Sequence, residues 1–168
     1  VVVPHKDQIV DENRFLVIPR SLIFIFNADK VLLIKGAAEK KIWANRYNGL
    51  GGHIERGEDI KSAALRELSE EAGLVGIDIH LAGTVMINTG KQIGICIYIF
   101  TGEYNGEKLI PSAEGLLEWV RIAQINSINT VEDLPVLIEN ILEKRATGQL
   151  LYGRYYYDDQ DKLVMAFN

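Results

Sequence analysis

An α/β architecture, a mixed β-sheet flanked by helices, is what the sequence predicts, on three observations. Short apolar runs bounded by turn residues recur along the 168 residues. Two longer segments, about 59–72 and 132–148, carry apolar residues at helical spacing. No repeat, linker or low-complexity tract divides the chain. Strands interleaved with two amphipathic helices point to layers packed on one sheet. A single domain spanning 1–168 is expected, since a chain of this length removes roughly 65 to 70% of its unfolded surface from water and needs no staples.

The first 20 residues, ending in "HKDQIVDENRFLVIPR", mix polar and β-branched residues and are expected to form an arm or a short strand. "SLIFIFNADKVLLIKG" follows with two apolar runs, Leu22 to Phe26 and Val31 to Ile34, joined by Asn27-Ala28-Asp29-Lys30, the pattern of a hairpin. After the loop "AAEKKIWANRYNG" comes a helix from about Asp59 to Ala72, in which Ala64, Leu68 and Ala72 recur every four residues and Leu65 widens the stripe. Asp59 or Glu58 caps its start, and Gly73 ends it where left-handed backbone costs little.

Three further strands are expected at Val75 to Val85, broken by Gly83, at Gln92 to Thr101, apolar enough to be covered on both faces, and at Leu117 to Val120. "YNGE" supplies a tight-turn signal between the last two. "EDLPVLIENILEKRATG" reads as the second helix, with Pro135 in its first turn, Leu134, Leu137, Ile138, Ile141 and Leu142 on one face, and Gly148 as its end. The tail, about 151–168, reads as strand, acidic turn, strand: a β-hairpin extension.

The helix at 59–72 carries the chemistry. Successive helical residues turn by about 100°, so Glu67, Glu70 and Glu71 share one polar sector. Like charges three and four apart repel by a few tenths of a kcal/mol per pair, and the compensating helix N-terminus is two turns away. A hard divalent cation, Mg²⁺ with Mn²⁺ as substitute, compensates them and keeps water or phosphate in its shell; a solvated acidic face is the alternative. Gly49, Gly51, Gly52 and Gly57 make the approach to this helix poor in side chains, so that backbone carbonyls and polyphosphate come close.

From Gly52 the chain reads Gly, five residues, Glu58, seven residues, Arg66-Glu67-Leu68, one residue, Glu70-Glu71, one residue, Gly73-Leu74. This resembles the Nudix box at every defining position. The resemblance implies a Nudix-type α/β/α sandwich with a mixed central sheet and Mg²⁺- or Mn²⁺-dependent hydrolysis of a nucleoside diphosphate linked to another group. It implies metal binding by Glu67, Glu70 and Glu71 with the Gly51 carbonyl, and loop support from Arg66, Glu58, Gly52, Gly57 and Gly73. "EGLLEW" resembles the stretch in which MutT-like members carry a further glutamate, here Glu114. Glu70, Glu71 and Glu114 are competing candidates for the base, with Glu67 completing the catalytic set.

"RYNGLGGHIERGE" is similar to the oxidised-purine triphosphatase branch, which implies a nucleoside triphosphate split into monophosphate and pyrophosphate. Another nucleoside diphosphate derivative, or a nucleotide-sensing module without turnover, are the alternatives. Asn48 is a candidate for the base edge or for its own turn. Tyr47 and Trp119 are candidates for substrate contact or core, and Asp133, beside Glu132, loosely matches the acidic pair of that branch. His53 occupies a variable position of the box.

The formal charge of −5, with no basic block, argues against polymeric nucleic acid and anionic membrane as partners. A single cysteine, Cys96, inside an apolar run excludes an internal disulfide and fits a reducing, cytoplasmic setting. No targeting signal is expected. Arg154 with Tyr155, Tyr156 and Tyr157 suits a lid, a homodimer surface or a plain edge hairpin.

Overall fold

The computed structural model describes residues 11–39, 42–106, 108–110 and 115–168. Eight strands form one mixed sheet among them. In chain order these are β1 (Leu16–Asn27), β2 (Lys30–Gly36), β3 (Tyr47–Asn48), β4 (Ile79–Ile87), β5 (Ile93–Glu103), β6 (Gly115–Arg121), β7 (Leu151–Tyr157) and β8 (Leu163–Phe167). Helix α1 (Ile60–Ala72) follows β3, and α2 (Leu134–Thr147) follows β6 through a short 3₁₀ turn. The spatial order is β3-β2-β1-β5-β4-β7-β8, with β6 on the other side of β2.

The alternating side chains of β1 supply both cores, because successive residues of a strand point to opposite faces. Ile23 and Ile25 pack with Leu32, Leu50 and Phe100 under Ala64, Leu68 and Ala72 of α1. Phe24 and Phe26 pack with Leu33, Val85 and Ile99 under Leu137, Ile138 and Ile141 of α2. The stripes expected on both helices face the cores, with Leu65 and Leu142 only partly covered. Asp59 caps α1 by accepting the Lys61 and Ser62 N–H groups, and Gly73 closes it at φ 66.

The 27–30 turn joins an antiparallel pair, with Phe26 opposite Val31 and Asn27 opposite Lys30. For residues 16–20 the structure takes the strand alternative, since β1 begins at Leu16 and runs parallel to β5 from there; residues 1–10 lie outside the described residues. Other expectations are corrected. Val75 is exposed and β4 begins only at Ile79, since Gly76 takes φ 73 between them. Gly83 does not break β4 but shifts its register, at a point where a Cβ would lie 2.2 Å from the Leu151 carbonyl oxygen. The strands on either side of "YNGE" do not pair with each other: β5 lies between β1 and β4, whereas β6 pairs with β2.

β5 is buried on both faces only in its second half; Ile93 is exposed, and Ile95 and Ile97 line a cavity. In the hairpin, Leu151 and Tyr155 enter the core on the α2 face while Tyr152 and Tyr156 point away. No helix of the described residues is long and apolar enough to cross a membrane.

Candidate active site

β1 and β2 pair only near their turn, and beyond it they separate. The glycine-rich segment fills the gap. The Ile23 N–H donates to the Leu50 carbonyl at 2.7 Å, the Leu50 N–H returns to Ile23 at 3.2 Å, and the Ser21 N–H donates to Gly52 at 2.9 Å. Glycine is required by this contact: Gly51 has φ 131, and a Cβ there would stand 2.3 Å from the Ser21 carbonyl oxygen.

The same docking brings the loop to the acidic side of α1. The Gly51 N–H donates to Glu71 Oε2 at 2.8 Å, and Glu71 is 8% exposed. A Cβ on Gly52 would meet Glu67 Oε1 at 2.4 Å. Arg66 ties loop and helix together: its Nε and Nη2 donate to the two Glu58 oxygens at 2.7 and 3.0 Å, Nη2 also donates to the His53 carbonyl at 3.0 Å, and Nη1 donates to Glu67 Oε1 at 2.9 Å and Glu70 Oε2 at 3.1 Å. The Arg66 hydrogen bond holds the Glu58 carboxyl below its ordinary range, and these carboxylates raise the Arg66 guanidinium in turn. Gly57, at φ 93, turns the chain into Glu58.

Glu67, Glu70 and Glu71 all line one cavity of about 690 Å³, a size that suits a nucleotide-scale ligand. Its floor is the uncovered part of the α2 face, made by Leu22, Ile87, Ile95 and Ile97. Asn48, Gly49, Gly51, Gly52 and His53 form one side, and Val131, Glu132 and Asp133 approach from the start of α2. Tyr155, Tyr157 and Leu163 of the hairpin complete the wall, with Trp43 and Arg46 from the loop before β3.

Asn48 Oδ1 accepts the Gly49 N–H at 2.8 Å, so it closes its own turn while lining the cavity. Asp133 lies beside the buried Tyr155 hydroxyl, and burial first, then the neighbouring Glu132 charge, pushes its carboxyl above the ordinary range. Burial likewise raises the Tyr155 phenol.

Two of the substrate candidates stand elsewhere. Tyr47 is 9% exposed, is packed in the core on the α2 face and donates its hydroxyl to Glu118 Oε2 at 2.8 Å; burial and that carboxylate push its phenol up to about 12. Trp119 packs against the α1-side core, its Nε1 buried without a hydrogen-bond partner. Neither lines the cavity, because β3 and β6 turn these rings into the layers between sheet and helices. Glu114 lies outside the described residues.

Arg20, Trp43, Tyr155 and Tyr157 are cavity residues that motif spacing did not single out for the site. The Tyr-rich tail signalled the last two as part of a lid, a homodimer surface or an edge hairpin, not as members of the site. Trp43 takes φ 61, held where Asn45 N–H donates to Gly36 and Arg46 N–H to Trp43 itself, and nothing in its local sequence announces that conformation.

An oxygen-only donor set suits a hard divalent ion. Among the described residues, however, no three His, Cys, Asp or Glu side chains converge closely enough to hold one. Glu67 and Glu70 gather instead around the Arg66 guanidinium, and Glu71 accepts from the loop backbone. The residue types fit the ion, and their oxygens would need to swing from Arg66 toward the cavity to bind it.

The chain matches the NUDIX domain family model over residues 18–141. It is 27% identical over 145 residues to the mouse oxidized purine nucleoside triphosphate hydrolase, covering 86% of this chain and 89% of the mouse protein. It is 31% identical over 144 residues to the uncharacterized Nudix hydrolase YvcI of Bacillus subtilis, covering 81% and 84%. Among solved structures, a MutT protein from Bacillus halodurans superposes with a TM-score of 0.74 at 21% identity, over 90% of this chain and 97% of that one. Family, fold and the acidic helix docked against a glycine loop agree: the chain belongs to the Nudix family, as a pyrophosphohydrolase acting on phosphoanhydrides.

Proposed function

We propose that the protein hydrolyses a nucleoside triphosphate, with oxidised or otherwise noncanonical purine nucleotides as preferred substrates, to a nucleoside monophosphate and pyrophosphate. The observation that carries this is one cavity joining the α1 carboxylates to an apolar floor edged by Asn48 and Asp133. A purine ring covers the floor, its polar edge faces Asn48 and Asp133, and its phosphates reach toward Glu67, Glu70 and Glu71. Burial shifts the Asp133 carboxyl toward its protonated form, the form in which it would donate a hydrogen bond to a base acceptor. The names of the mouse and zebrafish relatives, oxidized purine nucleoside triphosphate hydrolases, point the same way.

Nudix enzymes generally require a divalent metal. Here Glu67, Glu70 and Glu71, with the Gly51 carbonyl and Glu114, would hold Mg²⁺ or Mn²⁺, which supplies charge neutralisation on the phosphate oxygens and a more acidic water. Glu70, with 60% of its side chain exposed beside the cavity, takes the proton of the attacking water. The Gly51 N–H and Arg66 keep Glu71 and Glu67 beside the cavity, and Glu67 would turn from Arg66 to meet the ion. A dinucleotide or nucleotide sugar is the second reading, favoured by the Trp43 indole, 49% exposed at the cavity and available to stack on a second ring.

The test is a panel of canonical and oxidised nucleoside triphosphates, dinucleotides and nucleotide sugars, assayed with Mg²⁺, Mn²⁺ or EDTA and with products identified by mass. Monophosphate and pyrophosphate from an oxidised purine triphosphate, abolished by EDTA, is the expected result. Turnover confined to dinucleotides or nucleotide sugars would transfer the assignment to the second reading.

A further inference from the structure

The cavity contains a cation that its surroundings leave unmatched. Arg14, Arg66 and Arg145 each contact a carboxylate, and Arg154 lies over the Tyr156 ring. Arg20 and Arg46, both at the cavity, have no such partner among the described residues; Arg46 is exposed to water, whereas the Arg20 Nε is shielded from solvent without a hydrogen bond. A guanidinium N–H removed from water and left unpaired is costly, so a site built this way expects an anion. Acidic side chains abound in the same cavity, yet none pairs with Arg20.

Its position in the sheet says which anion. On β1, Leu22 belongs to the apolar floor, and Arg20 is the next residue on the same face, about 7 Å further along at the usual rise of a strand. Across the gap, Arg20 forms a bridge with His53, the residue after Gly52, where a side chain would run into Glu67. Arg20 therefore stands between the floor and the carboxylates of α1. A nucleotide lying with its base on the floor and its terminal phosphates at those carboxylates passes its sugar-proximal phosphate across this point.

We propose that Arg20 anchors the phosphate nearest the sugar, donating guanidinium N–H bonds to its non-bridging oxygens. This rests on the nucleotide orientation given above. The planar fork of arginine matches a phosphate's oxygens in a way that lysine's single ammonium does not. Arg20 is thereby a substrate-positioning group that holds the first phosphate still while attack occurs further along the chain of phosphates.

The experiment compares wild type with R20Q and R20K in three readouts. Calorimetry gives the affinities of guanosine 5′-monophosphate and of guanosine, steady-state assays give KM and kcat for the triphosphate, and thermal melting reports the fold. Wild type is expected to bind the monophosphate at least tenfold more tightly than the nucleoside. R20Q is expected to lose most of that gain, keep its affinity for guanosine, raise KM about tenfold or more and melt with wild type, while R20K recovers part of the gain. Arg20 loses this role if wild type does not prefer the phosphorylated form, if R20Q keeps the preference, or if R20Q weakens both ligands alike with a lowered melting temperature. Hydrolysis by R20Q with unchanged kcat/KM would leave the proposed activity standing and remove Arg20 from it. A phosphate preference that R20Q loses, in a protein that splits no triphosphate, would do the reverse.

Discussion

Arg66 uses both edges of its guanidinium, one on Glu58 and the His53 carbonyl, the other on Glu67 and Glu70. The partners of each acid then decide what its replacement does. Among the described residues Glu70 has one ion pair, and most of its side chain is in water, so its charge contributes little to folding. E70Q is expected to lower turnover by more than about tenfold, the scale of losing a proton-transfer group, while changing stability by less than about 0.5 kcal/mol. Steady-state rates and a denaturant titration on one preparation check this, and equal turnover in mutant and wild type would remove Glu70 from the chemistry.

Asp133 behaves oppositely. Burial raises its carboxyl above the ordinary 3.8, so the folded protein binds its proton more tightly than the unfolded chain does. Its contribution is then most favourable below that value and is lost as pH rises through the folded one. D133N, which cannot ionise, is expected to gain in melting temperature relative to wild type as pH is raised from about 4 to 7. A constant difference across that range would mean that Asp133 titrates as an exposed acid.

At the scale of elements, helix α1 and the glycine loop tolerate different changes. The Asp59 cap serves the helix alone, accepting two N–H groups at 2.9 and 3.0 Å. D59A should cost about 1 kcal/mol in urea unfolding and leave KM unchanged. Gly51 serves both the sheet and the site. An alanine there meets the Ser21 carbonyl in a backbone region that L residues avoid, so G51A should cost on the order of 2 to 4 kcal/mol and also displace the N–H that Glu71 accepts. An active G51A protein of wild-type stability would show that the loop is not seated against β1.

The whole molecule binds its C-terminal hairpin into the same structure that forms the cavity. β7 runs parallel to β4, with Val85 opposite Gly153, and Leu151 and Tyr155 are buried with the α2-side core. The Tyr155 ring meets Phe167 of β8 edge-on at 5.7 Å. Y155A is expected to lose about 3 to 5 kcal/mol, the range for emptying a buried aromatic site, and to weaken nucleotide binding because the ring also forms the cavity wall. Y152A, on a side chain 52% exposed on the opposite face, should change stability by less than about 0.5 kcal/mol. Comparable losses in the two variants, measured by chemical denaturation, would contradict the observed facing of β7.

Much of this was legible in the residues themselves. The span of α1, its Asp59 and Gly73 ends, the stripe Ala64-Leu68-Ala72 and the projection of Glu67, Glu70 and Glu71 from one face follow from helical periodicity and cap chemistry, which act within a few residues. The 27–30 turn, the α2 face and the C-terminal hairpin are local in the same sense. Only tertiary structure decided that Tyr47 and Trp119 turn into the cores, that β6 pairs with β2 rather than β5, and that Arg20 and Tyr155 share a cavity with the carboxylates. Those outcomes depend on which distant strands pair and in what register, and a one-residue slip sends every side chain of a strand to the other face. Local chemistry thus determined the acidic helix, and long-range pairing decided what stands opposite it.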